Sequence, residues 1–187
     1  KDAKGPAFLY RPSLYYSVYD RKNHVWGKVK QLVDKNGCII DRFGGGCTQR
    51  VDLPSGDILL PTYNVAFVGN RKLNHVTVLL LGYDGETLHL KEVGGEIHME
   101  NEARGLCEPS LTYYSGRYYL TLRADAKAYV CTSLDGLHYS EPIPWQWDNG
   151  FEVPTCNTQQ HWVTGPNALY LVYTRKNGKN DHVPRNR

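Results

Sequence analysis

The chain of 187 residues has no long hydrophobic run and little excess of either charge. A membrane-spanning helix needs about 20 mostly apolar residues, and no stretch approaches that length. The 22 lysines and arginines nearly balance the 19 aspartates and glutamates, for a net charge of +3. The most basic segment, residues 175–179, is interrupted by Asn177 and Gly178. We therefore expect no membrane span and no nucleic-acid partner.

Motifs for metals and phosphates are also missing. The five cysteines form no C-x-x-C pair, and the seven histidines show no H-E-x-x-H spacing. The glycines at 44–46 are not followed by the Lys-Ser/Thr pair of a phosphate-binding loop. We expect no metal and no cofactor. The cysteines are interpreted as small buried residues, with a Cys38–Cys47 disulfide as the alternative.

Methionine and sustained helical periodicity are scarce, whereas strand and turn residues are abundant. There is one methionine, against 14 tyrosines, 4 tryptophans, 18 glycines and 10 prolines. Tyrosine and tryptophan favour strands, and glycine and proline mark turns. The composition predicts an all-β protein, and the length predicts one domain.

A repeated layout runs through the chain. Cys107, Ser115-Gly116 and Leu120 follow Cys47, Ser55-Gly56 and Leu60 at a constant spacing of 60 positions. Each block predicts a hairpin, and residues 159–175 have the same strand–turn–strand pattern around Gly165-Pro166-Asn167. After the first two hairpins we expect a further strand (residues 76–81 and 128–132), an Asp-Gly turn, and a return strand beginning at Leu88 and His138.

Four short strands in about 50 residues are typical of a β-propeller blade. The predicted units are roughly 1–45 (partial), 46–105, 106–158 and 159–187 (partial) of a single partial β-propeller domain. A β-sandwich is the alternative. Closed propellers need four to eight blades, and about three are present here. We expect either a fragment of a larger propeller or an assembly with other chains that closes the ring.

Polar residues occupy matching positions at the start of the hairpins. Thr48, Glu108 and Gln159 share one repeat position, and the first strand of each blade lines the central channel. This ring indicates ligand contact, with a solvated strand end as the alternative for Glu108. The neighbouring residues predicted to bind this ligand are Gln49, Arg50, Gln160 and Trp162, although packing between blades is equally consistent for Trp162.

The segment from Cys107-Glu108-Pro109-Ser110-Leu111 to Gly116 and Arg123 resembles the sialidase (neuraminidase) superfamily, with its pattern of a Glu, a hairpin and an Arg. Residues 133–139, Ser-Leu-Asp-Gly-Leu-His-Tyr, are similar to a degenerate Asp-box. Asp84-Gly85 and residues 20–26 resemble weaker copies. The resemblance implies the middle part of a six-bladed propeller, in a secreted or periplasmic protein.

The resemblance also implies a chemistry. Glu108 would be the base that activates a tyrosine nucleophile, and Arg123 one arginine of a clamp on the carboxylate of a terminal acidic sugar. Arg185 or Arg187 would be a further clamp arginine. The family's first arginine motif and its acid Asp have no match, so Asp20 and Asp41 are candidates on composition only. Tyr170 and Tyr173 are expected in the core, which leaves the chain without its nucleophile.

Two further functions remain open from the sequence. A propeller of the same ancestry without the nucleophile would bind a glycan or a partner and release nothing. Alternatively, the same blades would serve another carbohydrate-active enzyme such as a polysaccharide lyase, in which Arg123 meets a uronate carboxylate.

Overall fold

The computed structural model describes residues 13–68 and 71–176, and within these ranges the regular structure is β only. The described residues therefore contain no helix of the length and apolarity that would cross a membrane. The strands are β1 (Tyr15–Tyr16), β2 (Tyr19–Asp20), β3 (Val25–Trp26), β4 (Lys30–Gln31), β5 (Val33–Asp34), β6 (Val51–Asp52), β7 (Ile58–Val68), β8 (Arg71–Tyr83), β9 (Leu88–Val93), β10 (Cys107–Tyr114), β11 (Arg117–Arg123), β12 (Ala128–Ser133), β13 (Ile143–Pro144), β14 (His161–Thr164) and β15 (Leu169–Val172).

Two antiparallel sheets of consecutive strands form the centre of the fold. The first sheet has the order β5-β9-β8-β7-β6, and the second has the order β10-β11-β12-β13. Strands β14 and β15 form a separate hairpin, and β5 joins the edge of the first sheet parallel to β9. The three predicted hairpins are thus confirmed. The turns of the first two hairpins contain Gly56 and Gly116 at positive φ, a conformation that glycine adopts without steric cost.

The return strand of the second sheet lies later than predicted. It begins at Ile143 rather than at His138. The Asp135 carboxylate accepts hydrogen bonds from the backbone N–H groups of Leu137 and His138, at 2.8 Å each. Because the turn uses these donors, they are not available to a strand pairing. The chain first returns to β12 at Ser140, whose N–H donates to the Thr132 carbonyl at 2.9 Å, and regular pairing begins at Ile143 and Pro144.

The main core lies between the first and second sheets. It contains Val76 and Val78 from β8, Leu111 from β10, and Leu120 and Leu122 from β11, all fully buried. The opposite face of β8 contributes Leu79 and Leu81 to a second cluster with Leu32 and Phe43. Side chains alternate between the two faces of a strand, so β8 is buried on both sides.

None of the five cysteines, all of which lie in the described ranges, forms a disulfide, so the predicted Cys38–Cys47 disulfide is wrong. Both residues are exposed. The interpretation as small buried residues is confirmed for Cys107, Cys131 and Cys156. Burial raises the pKa of the Cys131 thiol to about 12, which makes it an inert packing group.

The chain segments that enter three successive sheets meet at one place. Gln49 forms a parallel bridge with Ser110 of β10, and the Leu111 N–H donates to the Gln49 carbonyl at 2.9 Å. The Gln49 side chain accepts from the Trp162 N–H of β14 and donates to the Trp162 carbonyl, at 2.9 and 3.2 Å. The segment that leads into β6 therefore contacts both β10 and β14.

Candidate functional site

A bulge at the start of β10 positions Glu108. Cys107 pairs with Arg123 and Ser110 pairs with Thr121, so two residues of β10 oppose one residue of β11. In a regular strand Glu108 would face away from the side shared by Cys107 and Arg123. The bulge, with Glu108 at φ 46°, turns its side chain toward Arg123. A non-glycine residue in this left-handed region costs about 1 kcal/mol or more, and such strain is concentrated at functional sites.

Glu108 and Arg123 form an ion pair. The Arg123 Nη1 lies 2.5 Å from the Glu108 Oε1, and the two side chains are 16% and 19% exposed. The prediction that these two groups lie together is confirmed. The second carboxylate oxygen, Oε2, is buried and has no hydrogen-bond partner among the described residues. A buried carboxylate oxygen normally accepts a hydrogen bond, so this one is available to a donor from a ligand or from another part of the protein.

Three further residues extend this pair into a network. The Arg123 Nε donates to the Asn157 Oδ1 at 2.7 Å, and the Asn157 Nδ2 donates to the Asp125 Oδ1 at 3.1 Å. Arg104 binds Asp125 through its Nε, at 2.7 and 2.9 Å, and through its Nη2. Hydrogen bonding between the two raises the pKa of Arg104 and lowers that of Asp125. We call these five residues, Arg104, Glu108, Arg123, Asp125 and Asn157, the ionic corner.

The sequence indicated only two members of the ionic corner. Arg104 lies in the connection between β9 and β10, Asp125 in the β11–β12 turn, and Asn157 in the connection before β14. These segments approach one another only through the pairing of the sheets. The one local signal was Asp125, a carboxylate two positions after Arg123 at a strand end.

Gln160 and Trp162, predicted to bind a sugar, are buried between sheets. The Gln160 Oε1 accepts from the Thr121 hydroxyl at 2.7 Å. The Trp162 Nε1 donates to the Ser110 carbonyl at 2.9 Å, and its ring contacts Trp145 and Tyr119. The indole is 5% exposed, so its faces are covered by protein. The side chain of Gln49 is likewise hydrogen-bonded, to the backbone of Trp162. Contact of a sugar with Gln49, Gln160 or Trp162 stays a prediction, and the proposal below does not use it.

The recorded partner of Arg50 is Asp52, which is not part of the ionic corner. Its Nε donates to Asp52 at 2.8 Å, and its side chain is mostly exposed. It lines a cavity of about 200 Å³ whose other walls are largely apolar, among them Leu14, Leu32 and Ile58. The predicted contact between Arg50 and a sugar also stays a prediction.

The remaining candidates have simpler surroundings. Asp20 is an exposed residue at the end of β2. Its carboxylate accepts from the side-chain amide of Asn23 and from the backbone N–H groups of Asn23 and Lys22, and these bonds lower its pKa. Asp41 is half-buried. Tyr170 was expected in the core, but it is 57% exposed, because it lies on the open side of the β14–β15 hairpin. Tyr173 is half-buried. Residues 185 and 187 lie outside the described residues.

The turn after β12 is held by its own side chains. The Ser133 Oγ accepts from the Gly136 N–H at 2.8 Å, and Asp135 accepts from two backbone N–H groups and lies 2.8 Å from the His138 ring. Burial raises the pKa of Asp135, but these hydrogen bonds lower it by more, so it lies well below its ordinary value. The turn is thus ordered by hydrogen bonds within residues 133–138.

The core contains a pair of a carboxylate and a phenol. The Tyr129 hydroxyl donates to the Glu102 Oε1 at 2.5 Å, and Tyr129 is 3% exposed. Burial, the hydrogen bond and the Glu102 charge all raise the pKa of Tyr129. This phenol is therefore hard to ionise and closed to a substrate, which makes it a packing group rather than a nucleophile.

No protein-family model and no curated protein matches the chain. Among solved structures it is similar to Trypanosoma rangeli sialidase, with a TM-score of 0.50 and 15% identity over 91% of this chain and 30% of that one. It also resembles Trypanosoma rangeli sialidase in complex with sialic acid, with a TM-score of 0.49 and 17% identity over the same shares of the two chains. The chain thus spans about 30% of the length of that sialidase chain. The fold is sialidase-like and all-β.

Proposed function

We propose that the chain is part of a sialidase-like glycoside hydrolase that acts on the terminal acidic sugar of a glycan. The single observation that carries the proposal is the ion pair of Glu108 and Arg123, in which one carboxylate oxygen is left without a partner. A structural ion pair in a sheet of this kind has no need of a strained backbone or of an orphan oxygen.

Arg123 supplies the charge that selects an acidic sugar. Its guanidinium is part of the family's clamp on the sugar carboxylate, and guanidinium groups bind carboxylates in a fixed planar geometry. Glu108 holds the general-base position. In this role its Oε2 accepts the proton of a tyrosine hydroxyl, whose ordinary pKa is about 10. The phenolate oxygen then bonds to the anomeric carbon while the glycosidic C–O bond breaks, and the aglycone leaves with a proton from a general acid. No described tyrosine donates to this oxygen. The nucleophile belongs to another part of the protein.

We also propose that the two sheets are consecutive blades of a propeller. The strands β6–β9 and β10–β13 are each meanders, and their faces pack together through a shared core. Strands β14 and β15 begin the next blade. The convergence of Gln49, Ser110 and Trp162 supports a common axis for the three.

The test is the release of a fluorogenic aglycone from a sialic acid glycoside by the protein at its natural length. Glu108→Gln removes the base and keeps the shape, and we expect the rate to fall by at least about a hundredfold. Arg123→Leu is expected to have an effect of the same size. Arg117→Leu is the matched control, since Arg117 is an exposed arginine at the start of β11 that belongs neither to the ionic corner nor to the predicted sugar contacts. Wild-type rates in both the Glu108 and the Arg123 variants would refute the proposal.

A binding protein without turnover is the second candidate. It is favoured by the absence of any described tyrosine on the free oxygen of Glu108. In that case the wild-type protein binds the acidic sugar, Arg123→Leu abolishes binding, and no aglycone is released. A polysaccharide lyase, the remaining alternative from the sequence, would instead leave an unsaturated sugar that absorbs in the near ultraviolet.

A further inference from the structure

We infer that Asn157, held in place by Asp125, is a positioning residue that selects which edge of the Arg123 guanidinium meets an acidic ligand. The inference rests on the proposed function and adds a specificity device to it. Neither Asn157 nor Asp125 belongs to the pattern of a Glu, a hairpin and an Arg from which the site was predicted.

The argument starts from the hydrogen atoms of the guanidinium. An arginine has five N–H groups, and a carboxylate binds either across Nε and one terminal nitrogen or across the two terminal nitrogens. In this structure the Nε of Arg123 donates to the Asn157 Oδ1, and the Nη1 forms an ion pair with the Glu108 Oε1. Asn157 therefore occupies the Nε position, which two-point binding across the side edge would need. A ligand carboxylate is left with the terminal nitrogens, of which Nη1 already lies beside the Glu108 carboxylate, so it approaches through Nη2.

Asn157 can do this in only one of its two amide orientations. Its Oδ1 accepts from Arg123 and its Nδ2 donates to Asp125. The opposite orientation would place an N–H donor against the Arg123 Nε and an oxygen against the Asp125 carboxylate. Asp125 is in turn fixed by its bonds to Arg104. The chain of contacts from Arg104 to Arg123 thus specifies the direction of the guanidinium.

Packing does not account for Asn157. The residue is exposed, and it follows the buried Cys156 and precedes the half-buried Thr158. An exposed asparagine gains little stability from ordering its side chain in the folded protein, because water satisfies the same groups. The two hydrogen bonds of Asn157 link the Arg123 guanidinium to the Asp125 carboxylate, and they fix the orientation of the guanidinium.

The test compares the affinity for methyl sialoside with that for its carboxyl methyl ester, together with kcat and KM for the fluorogenic glycoside. We expect Asn157→Leu to raise KM about tenfold and to reduce the preference for the acid over the ester by about the same factor, since one charge-assisted hydrogen bond is lost. The kcat is expected to change less. Asn167→Leu, at an exposed asparagine of the β14–β15 turn, is the control and should match the wild type.

Conservative variants separate orientation from stability. Asp125→Asn keeps an acceptor for the Asn157 amide and should retain most of the preference for the acid. Asn157→Asp keeps the acceptor for Arg123 but sets a carboxylate against Asp125, so it should lose the preference although its shape is unchanged. This variant also serves if Asn157→Leu does not fold.

The outcomes distinguish this inference from the proposed function. An acid-to-ester ratio that is unchanged in Asn157→Leu and Asn157→Asp, but lost in Arg123→Leu, overturns the role of Asn157 and leaves the proposed function standing. A wild-type protein that neither binds nor cleaves the acidic sugar overturns both. A fall in melting temperature without a change in the ratio marks Asn157 as merely structural and also overturns the inference.

Discussion

The corner at which the first sheet begins and the corner at which the second begins share a backbone feature and differ in their side chains. Each contains a non-glycine residue in the left-handed region, Cys47 at φ 64° and Glu108 at φ 46°. In the first corner Thr48 donates to the Gly45 carbonyl, and Tyr63, which matches Arg123 in the repeat, pairs with Gly44 through its backbone.

The difference shows how two matching corners diverge. In the first corner residues 44 and 45 contact Tyr63 and Thr48. In the second corner Glu108 and Arg123 form an ion pair, and one oxygen of Glu108 has no hydrogen-bond partner among the described residues. The left-handed residues lie one repeat position apart, since Cys47 aligns with Cys107, and the bulge belongs to the second corner.

The largest effect expected on stability comes from breaking the charge pair of the second corner. Arg123→Leu leaves the carboxylate of Glu108 mostly buried and without a cation, so we expect a loss of about 2 kcal/mol in the free energy of unfolding. Arg50→Leu in the first sheet, where the pair is exposed, should change it by less than about 0.5 kcal/mol. Urea denaturation of the two variants measures the difference. Equal losses would contradict the contrast between the corners.

Adding a charge to the first corner should be costly as well. Thr48→Glu places a carboxylate at a half-buried position that has no arginine in the place of Arg123, and we expect a loss of about 1–2 kcal/mol. Thr48→Gln is the uncharged control of the same shape and should lose less. Urea denaturation at neutral pH measures the free energy of unfolding of both variants. A Thr48→Glu protein that is more stable than the wild type would show that the first corner already contains a cation.

The turns of the two sheets allow a comparison by pH. Asp135 in the second sheet and Asp84 in the first both accept backbone N–H groups, and the pKa of each is lowered. A carboxyl whose pKa is lower in the folded state stabilises the fold above its unfolded pKa, about 3.9, and this contribution is lost as the pH falls.

We therefore expect Asp135→Asn to be less stable than the wild type at pH 6, with a difference that shrinks as the pH falls below about 4. Its size should not exceed about 1 kcal/mol, because the carboxylate is half exposed. Asp84→Asn should show a smaller change. Thermal melts across this pH range compare the stability of each variant with that of the wild type. A difference between Asp135→Asn and the wild type that grows toward acid pH would contradict the lowered pKa of Asp135.

The smallest effect is expected from relieving backbone strain. Cys47→Gly removes the strain of an exposed left-handed residue, but it also loosens the unfolded chain, so the net change should be a gain of no more than about 1 kcal/mol. Glu108→Gly relieves the same strain but removes the ion pair, so it should destabilise the protein. Parallel melts test the two signs, and a destabilising Cys47→Gly would show that Cys47 has a packing role.

The sequence predicted the features of this fold that depend on neighbours along the chain. The all-β class and the three hairpins follow from turn residues and strand patterns. The roles of Glu108 and Arg123 were implied by the family resemblance, and their contact depends on a bulge that strand alternation alone would not predict. The return strand at His138 was misplaced, because a side chain, Asp135, took up the backbone donors that a strand would need. Asn157 and Arg104 could not be found, since their proximity to Arg123 arises from the pairing of separate segments.

The most direct test of the account is the affinity of the wild-type protein for methyl sialoside and for its carboxyl methyl ester, measured by titration calorimetry beside the same pair of titrations on Arg123→Leu. The account predicts that the wild type prefers the acid by at least about tenfold and that the preference disappears without the guanidinium. Equal affinity of the wild type for acid and ester, or a preference that survives in Arg123→Leu, would contradict it.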